Sequence, residues 1–125
     1  IFADTIEREI NFECRFSADN TLLIMSKLGI EHLKEINPLE LSIGEKHRVS
    51  LAAGIIGEPD ILLIDEPAVG LDIINLERYF AVLEDYAAVQ HKTVIIALTD
   101  YDLALRYCSV IYKIENYQII PILRG

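Results

Sequence analysis

A chain of 125 residues, 52% hydrophobic, has the size and apolar content of one compact domain and not of a disordered or fibrous protein. Its formal net charge of -9, with 11 scattered Lys and Arg, leaves no basic stripe for a nucleic-acid backbone and argues against direct nucleic-acid binding. No apolar run reaches the roughly 18 residues needed to cross a bilayer and no signal-peptide layout opens the chain. Cys14 and Cys108 stand far apart, in no metal-ligand spacing, as packed thiols in a reduced cytosolic compartment would.

In chain order, Asp4 or Thr5 can cap an amphipathic helix over "TIEREINFEC", in which Ile6, Ile10 and Cys14 recur at four-residue spacing. A second helix is expected over "ADNTLLIMSKLG", ended by Gly29, with a short turn "EHLKEIN" before Pro38. From Gly44, "EKHRVSLAAGIIG" reads as a helix that buries Val49, Ala52, Ala53 and Ile56 and is closed by Gly57 and Pro59. "ILLID" is a continuous apolar run of the kind found in strands covered on both faces, and "TVIIAL" at Thr93 to Leu98 is a second. Between them "INLERYFAVLEDYAAVQ" has helical periodicity through Leu76, Phe80, Leu83 and Ala87. Strand, helix, strand predicts a right-handed parallel crossover. The end reads as a helix and two short strands, with a turn at Glu115 and Asn116 and with Pro121 blunting the last strand.

Ligands of open parallel sheets bind beyond the carboxyl ends of the strands. Asp65 and Glu66 stand at such an end, where one acid can hold a hydrated magnesium ion while its neighbour polarises water for attack on a phosphate. Acids also commonly mark the turn after a strand, so the pair alone does not decide. "LSIGEK", Leu41 to Lys46, precedes a helix directly. Its Ser and Gly leave a hydroxyl and backbone N–H groups at the positive end of the helix dipole, a ready anion site. The same residues make an ordinary capping box, with Ser42 as N-cap and Glu45 three residues on, and both uses are compatible.

Order and spacing join these pieces: a Ser-x-Gly-Glu helix start, one helix, a strand ending in Asp-Glu-Pro, then Gly70, Leu71 and Asp72. The chain resembles, end to end, the ATPase subunits of ATP-binding-cassette (ABC) transporters. "LSIGE" looks like their signature motif, "ILLIDEP" like Walker B, "GLD" like the D-loop, and Thr99 with Asp100 falls where the switch-loop His-Asp pair is expected. The opening "IFADTIEREINF" looks further like the segment after the Q-loop in energy-coupling-factor and cobalt-type importers. ATPase heads of chromosome-maintenance and DNA-repair proteins share the signature and Walker B logic. Here the signature helix enters Walker B without a coiled-coil joint, and the negative charge disfavours DNA.

The resemblance implies an α/β, P-loop NTPase-like parallel sheet with flanking helices. Residues 1–40 would belong to the helical subdomain that receives a coupling helix from a transmembrane subunit, and 41–125 to the signature, Walker B and switch-loop part of the core. It implies ATP and Mg2+, a second ABC ATPase subunit paired head to tail as a homo- or heterodimer, transmembrane transporter subunits, and a cytoplasmic place on the inner face of the cell membrane. Residue by residue, Asp65 would hold magnesium through water, Glu66 would be the general base, and Asp72 would cross the dimer interface. Ser42, the Gly44 amide and Glu45 would belong to the signature site on the partner's nucleotide. Asp72 also stands where an N-cap ahead of "IINLERY" belongs.

Three departures qualify this. The phosphate-cradling "GxxxxGK[ST]" loop and the Q-loop are not among these residues. Since the family carries them ahead of this stretch and the chain opens on Ile1, the expectation is the C-terminal half of a cassette, inactive by itself. Its core would be incomplete, lacking a strand between "TVIIAL" and the closing pair. Ile43 replaces the first signature glycine, and a β-branched side chain crowds a phosphate approach. Thr99 replaces the switch histidine, and its short hydroxyl cannot reach as an imidazole does. His32, His47 and His91 lie in turn or exposed-helix contexts and do not replace it. An ATPase subunit powering import is the leading expectation; a degenerate, non-hydrolytic regulatory or scaffold cassette is the alternative.

Overall fold

A computed structural model describes residues 18–123 of the chain. The helix expected over Thr5 to Cys14 lies outside the described residues. Helix α1, Ala18–Lys27, ends as its sequence predicts. Gly29 takes φ +69°, its N–H donates to the Ser26 carbonyl (3.0 Å), and the Ile30 N–H reaches back to that of Met25 (2.9 Å). This is the paired closure of a Schellman turn, and its apolar partners Met25 and Ile30 are both fully buried. Two 3-10 turns, Glu31–Leu33 and Pro38–Glu40, lead to the next helix.

Helix α2, Ile43–Ile56, buries Val49, Ala52 and Ile56 as expected, leaves Ala53 only partly buried against the core, and also buries Gly44, Arg48, Leu51 and Ile55. Gly57 does not supply the left-handed closing residue. Its φ is -74°, and Glu58 takes φ 51° instead, donating its N–H to the Ile55 carbonyl. Strand β1, Ile61–Asp65, helix α3, Ile73–Ala88, and strand β2, Thr93–Ala97, form the expected strand, helix, strand unit. β1 and β2 pair in parallel from Ile61 against Thr93 to Asp65 against Ala97. Bonds from Thr93 N–H to Asp60 and from Glu66 N–H to Ala97 extend the ladder at both ends (2.9 Å each).

The core runs without a break across residue 40. Met25, Leu28, Ile30 and Leu33 from the front belong to the same buried cluster as Val49, Leu51, Phe80, Leu83 and Tyr86. Leu62, Ile64, Val94 and Ile96 pack on it from one face of the parallel pair. On the other face Ile61, Leu63 and Ile95 stay exposed, so among the described residues the sheet is covered on one side only. The two-sided apolar pattern of "ILLID" thus asks for a second layer that these residues do not supply.

Helix α4, Tyr101–Tyr107, is capped by Asp100 and held to α3 by the stacked rings of Tyr107 and Phe80, 4.1 Å apart. Strands β3, Ile111–Glu115, and β4, Gln118–Ile122, form an antiparallel hairpin. Its turn is Asn116 and Tyr117, at φ 49° and 61°, one residue later than the sequence suggests. Positive φ at both central residues suits the twist of a two-residue hairpin. Asn tolerates it, while Tyr gives no such signal. The hairpin and the parallel pair share no ladder among the described residues, in line with the expected gap between them.

Phe80 is 1% exposed and carries both the α3 packing and the stack on Tyr107. Phe80→Ala is expected to cost about 3–5 kcal/mol of unfolding free energy. Urea denaturation of the protein should show this as a lower midpoint.

Candidate functional site

The parallel register places Asp65 at the carboxyl end of β1, level with Ala97 at the end of β2, with Thr99 two residues beyond. Asp65 and Thr99 are exposed, and Glu66 is half-buried. Glu66 has φ 46°, a left-handed backbone that a non-glycine residue adopts at a cost of roughly 1–3 kcal/mol. Two constraints hold it there: its N–H is tied to the Ala97 carbonyl, and the next residue, Pro67, is fully buried. Other non-glycine residues at positive φ, Glu58, His91, Asn116 and Tyr117, lie at helix ends or in the hairpin turn, whereas Glu66 turns the chain off a strand at the sheet edge.

Ser42, Gly44, Glu45 and Asp72 form a second group. Ser42 caps α2: its Oγ accepts the Glu45 N–H (3.2 Å), and Glu45 Oε1 accepts the Ser42 N–H (3.0 Å). The capping box is therefore present. The Ser42 hydroxyl accepts in this box and can also donate its own proton. The backbone N–H of Ser42, with its hydroxyl, holds the Glu45 carboxyl below the ordinary carboxylate value, and Arg48 and His32 add to the effect.

Gly44 is buried against the turn that follows Glu66. A Cβ at Gly44 would lie 2.3 Å from the Gly70 carbonyl oxygen and 3.3 Å from Leu71 Cδ2. Gly70, at φ +79°, has the same constraint in reverse, since its own Cβ would lie 2.9 Å from the Gly44 nitrogen. The two backbones therefore touch, and only glycine fits on either side. Ile43, 59% exposed, points past this contact, with its Cγ2 3.1 Å from the Cβ that Gly70 lacks. Two residues on, Asp72 N-caps α3 by accepting the Asn75 N–H (2.8 Å). Asn75 Oδ1 in turn accepts from Arg48 (3.1 Å).

The residues singled out from sequence thus fall into two groups, Asp65, Glu66 and Thr99 on the sheet edge and Ser42, Gly44, Glu45 and Asp72 around the α2 start. The turn from Pro67 to Leu71 connects them. Sequence reasoning did not single out Gly70 as the partner of Gly44, nor Arg48 and Asn75. A cavity of about 310 Å3 lies between α1, α2 and α3, lined by Ile24, Ile55, Arg78 and Tyr86 among others, and by none of the expected site residues.

A parallel pair with acids at its carboxyl edge thus lies beside a glycine-tight helix start. A family model described as ABC transporter matches residues 4–69, more than half of the chain, which therefore belongs to the ABC transporter ATP-binding family. It is 30% identical over 130 residues to the energy-coupling factor transporter ATP-binding protein EcfA3 of Clostridium perfringens, covering 96% of this chain and 45% of that protein. It is 38% identical over 88 residues to the phosphonates import ATP-binding protein PhnC 2 of Nostoc sp., covering 70% of this chain and 36% of that one. The solved structure of cbiO1 from Clostridium perfringens, part of the ABC transporter complex cbiONQ, matches with a TM-score of 0.76 at 28% identity, over 96% of this chain and 51% of that one. The chain spans about half the length of such relatives, or less. The expected α/β cassette fold and the family resemblance both hold.

Two outcomes follow from this geometry. Gly44→Ala drives a methyl group onto the Gly70 backbone and should destabilise by about 1–3 kcal/mol. Gly54→Ala is the control, because its Cβ would meet only the end of the Leu62 side chain, Cδ1 at 3.2 Å, and no backbone. The second outcome concerns pH. With its folded pKa below the ordinary 4.5, Glu45 contributes fully above that value, and the contribution is lost as pH falls through the lowered pKa. Glu45→Gln should therefore be less stable than the parent at neutral pH, and the two should converge on acidification in urea melts.

Proposed function

We propose that the chain is the signature, Walker B and switch-loop portion of an ATP-hydrolysing subunit that powers import through an ABC transporter. The observation that carries this is Glu66, a half-buried acid held in a left-handed turn at the carboxyl edge of a parallel strand pair, directly after the exposed Asp65. Strained non-glycine backbone is kept where the surrounding structure and the chemistry use it. The names of the relatives, an energy-coupling factor protein and a phosphonates importer, support the importer class.

In the proposed reaction Glu66 accepts the proton of the water that attacks the γ-phosphate of ATP, and the Thr99 side chain occupies the position of the second catalytic group. Mg2+ fits the donor set. It is commonly bound by one or two carboxylates plus phosphates and water, and Asp65 offers one exposed carboxylate, while no cluster among the described residues would hold a metal by itself. Bound there through water, Mg2+ would neutralise charge on the phosphate oxygens. Ser42 and Gly44 would meet the nucleotide held by a second cassette, with Asp72 beside that interface.

Residues 1–40 would face the transmembrane subunits and receive their coupling segment. No helix among the described residues is long and apolar enough to cross a membrane, so the proposed place at the inner face rests on those partners. The open face of β1 and β2, and the missing ladder between β2 and the hairpin, support the view that a phosphate-loop half completes this core.

A second reading, a non-hydrolytic scaffold cassette, is favoured by one observation: Thr99, exposed at the end of β2, supplies no imidazole. Variants in the complete subunit separate the two. Glu66→Gln should trap an ATP-bound dimer on size-exclusion chromatography, since the proton acceptor is lost and Asp65 remains. A preorganised donor at developing phosphate charge is commonly worth about a hundredfold in rate, and a ring at position 99 without matched neighbours should recover part of it, roughly tenfold in turnover with ATP affinity little changed. Thr99→His is the variant that measures it, with Thr99→Ala near the parent rate. Silence of Glu66→Gln and Thr99→His together would favour the scaffold.

A further inference from the structure

Arg48 is 8% exposed, and the proposed chemistry does not use it. Its guanidinium spans three helices. Nε donates to the Gly44 carbonyl of α2 (3.3 Å), while Nη1 is shared among the Leu28 and Gly29 carbonyls at the end of α1 (3.2 and 3.4 Å) and Asn75 Oδ1 of α3 (3.1 Å). Among the described residues no carboxylate lies within ion-pair distance of it, so neutral carbonyl and amide oxygens solvate the charge. The carbonyls at the end of α1 are the negative end of its dipole, which favours a cation there.

The acceptors are not arbitrary. Gly44 is the residue whose backbone touches Gly70, and Asn75 is the residue whose N–H is capped by Asp72. Arg48 therefore bonds to the α2 start, to the cap at the α3 start and to the closing turn of α1 at once. A planar fork with several fixed donors can do this, whereas the compact ammonium of lysine cannot reach all three.

We propose that Arg48 is a positioning residue that locks the α2 start, the Asp72 turn and the end of α1 into one block, so that Ser42, Gly44 and Asp72 reach a partner's nucleotide in fixed register with the front helical layer. The functional part rests on the dimeric ATP site proposed above, while the block itself does not. Loss of Arg48 leaves Gly44 and Asn75 without their shared donor and lets the two starts move independently.

The test uses the complete subunit as parent, Arg48→Lys and Asn75→Ala. Asn75→Ala removes one acceptor but keeps the backbone N–H that Asp72 caps, so it guards against an Arg48 variant that fails to fold. Hydrogen exchange should quicken together over residues 28–30, 42–46 and 70–75 in both variants, with the β1–β2 ladder unchanged. The ATP concentration for half-maximal dimerisation should rise at least about tenfold, with ATP binding to the isolated subunit unaltered. Unchanged exchange over those segments overturns the block, as does faster exchange across the whole core, which marks a merely structural role. Coupled exchange with parent-like ATP dependence overturns the functional part. If the parent itself does not dimerise with ATP, the dimeric site falls instead, and the exchange pattern still decides the block.

Discussion

The contact on which the arrangement depends is the meeting of two bare backbones, Gly44 in the first turn of α2 and Gly70 in the turn after β1. A methyl group on either would collide with main-chain atoms of the other, which cannot swing aside as a side chain can. This contact brings the helix start within reach of the segment that ends in Asp72. Arg48 then bonds from the next turn of α2 back to Gly44 and across to Asn75, so the backbone contact and the buried cation secure one junction from two sides. The cost of burying that cation is offset by four oxygen acceptors, and its burial together with Arg78 lowers its pKa while Glu45 and Asp72 act in the opposite sense.

One continuous segment serves both groups of site residues. Residues 61–65 form the strand, Glu66 reverses the chain, Pro67 anchors the reversal in the core, Gly70 receives α2 and Asp72 starts α3. The reversal is held at its first residue by the ladder bond to Ala97 and at its last by the helix cap. A shift of Glu66 would therefore propagate to Gly70 within four residues of chain, which ties the sheet edge to the α2 start mechanically. In the proposed function those are the surfaces that address the subunit's own nucleotide and its partner's.

Most of this was legible in the residues. "ILLID" and "TVIIAL" are short apolar runs bounded by polar turns, and they pair as parallel strands at the expected place. Ser42 with Glu45 and Asp72 ahead of a helical run are capping patterns, and both caps form. What escaped was set by tertiary contact. Tyr117 takes a left-handed turn that its own preference opposes, and Glu58 takes the conformation that Gly57 could have supplied, because the paths of the flanking elements decide where the reversal falls. Arg48 was not singled out, since a side chain that buries its charge against carbonyls from the end of α1 and an amide from α3 leaves no local pattern. Gly70 was read as part of "GLD" and not as the counterpart of Gly44, because a pairing across 26 positions of chain is invisible to spacing within a motif.

The same geometry explains where the signature tolerates change. Of its two central positions, 44 lies inside the backbone contact, so any side chain there must displace the chain's own main-chain atoms. Position 43 points outward, and the Ile43 side chain is more than half exposed while resting on the edge of Gly70. In the proposed function its bulk would meet what docks on that surface, while the fold accommodates it. Folding therefore constrains glycine at 44 but not at 43, where only binding can. Thr99 follows the same logic at the sheet edge: it is exposed, it lies beyond the last ladder pair of β2, and the cap on α4 comes from Asp100, not from Thr99. Both departures from the family pattern thus sit on exposed side chains that the fold does not bury, so in the proposed function their consequences would belong to ligand contact and not to stability. They also sit in different groups, one by the α2 start and one on the sheet edge. In a pair of unlike cassettes they would touch different nucleotides, whereas in a pair of identical chains each nucleotide would meet both.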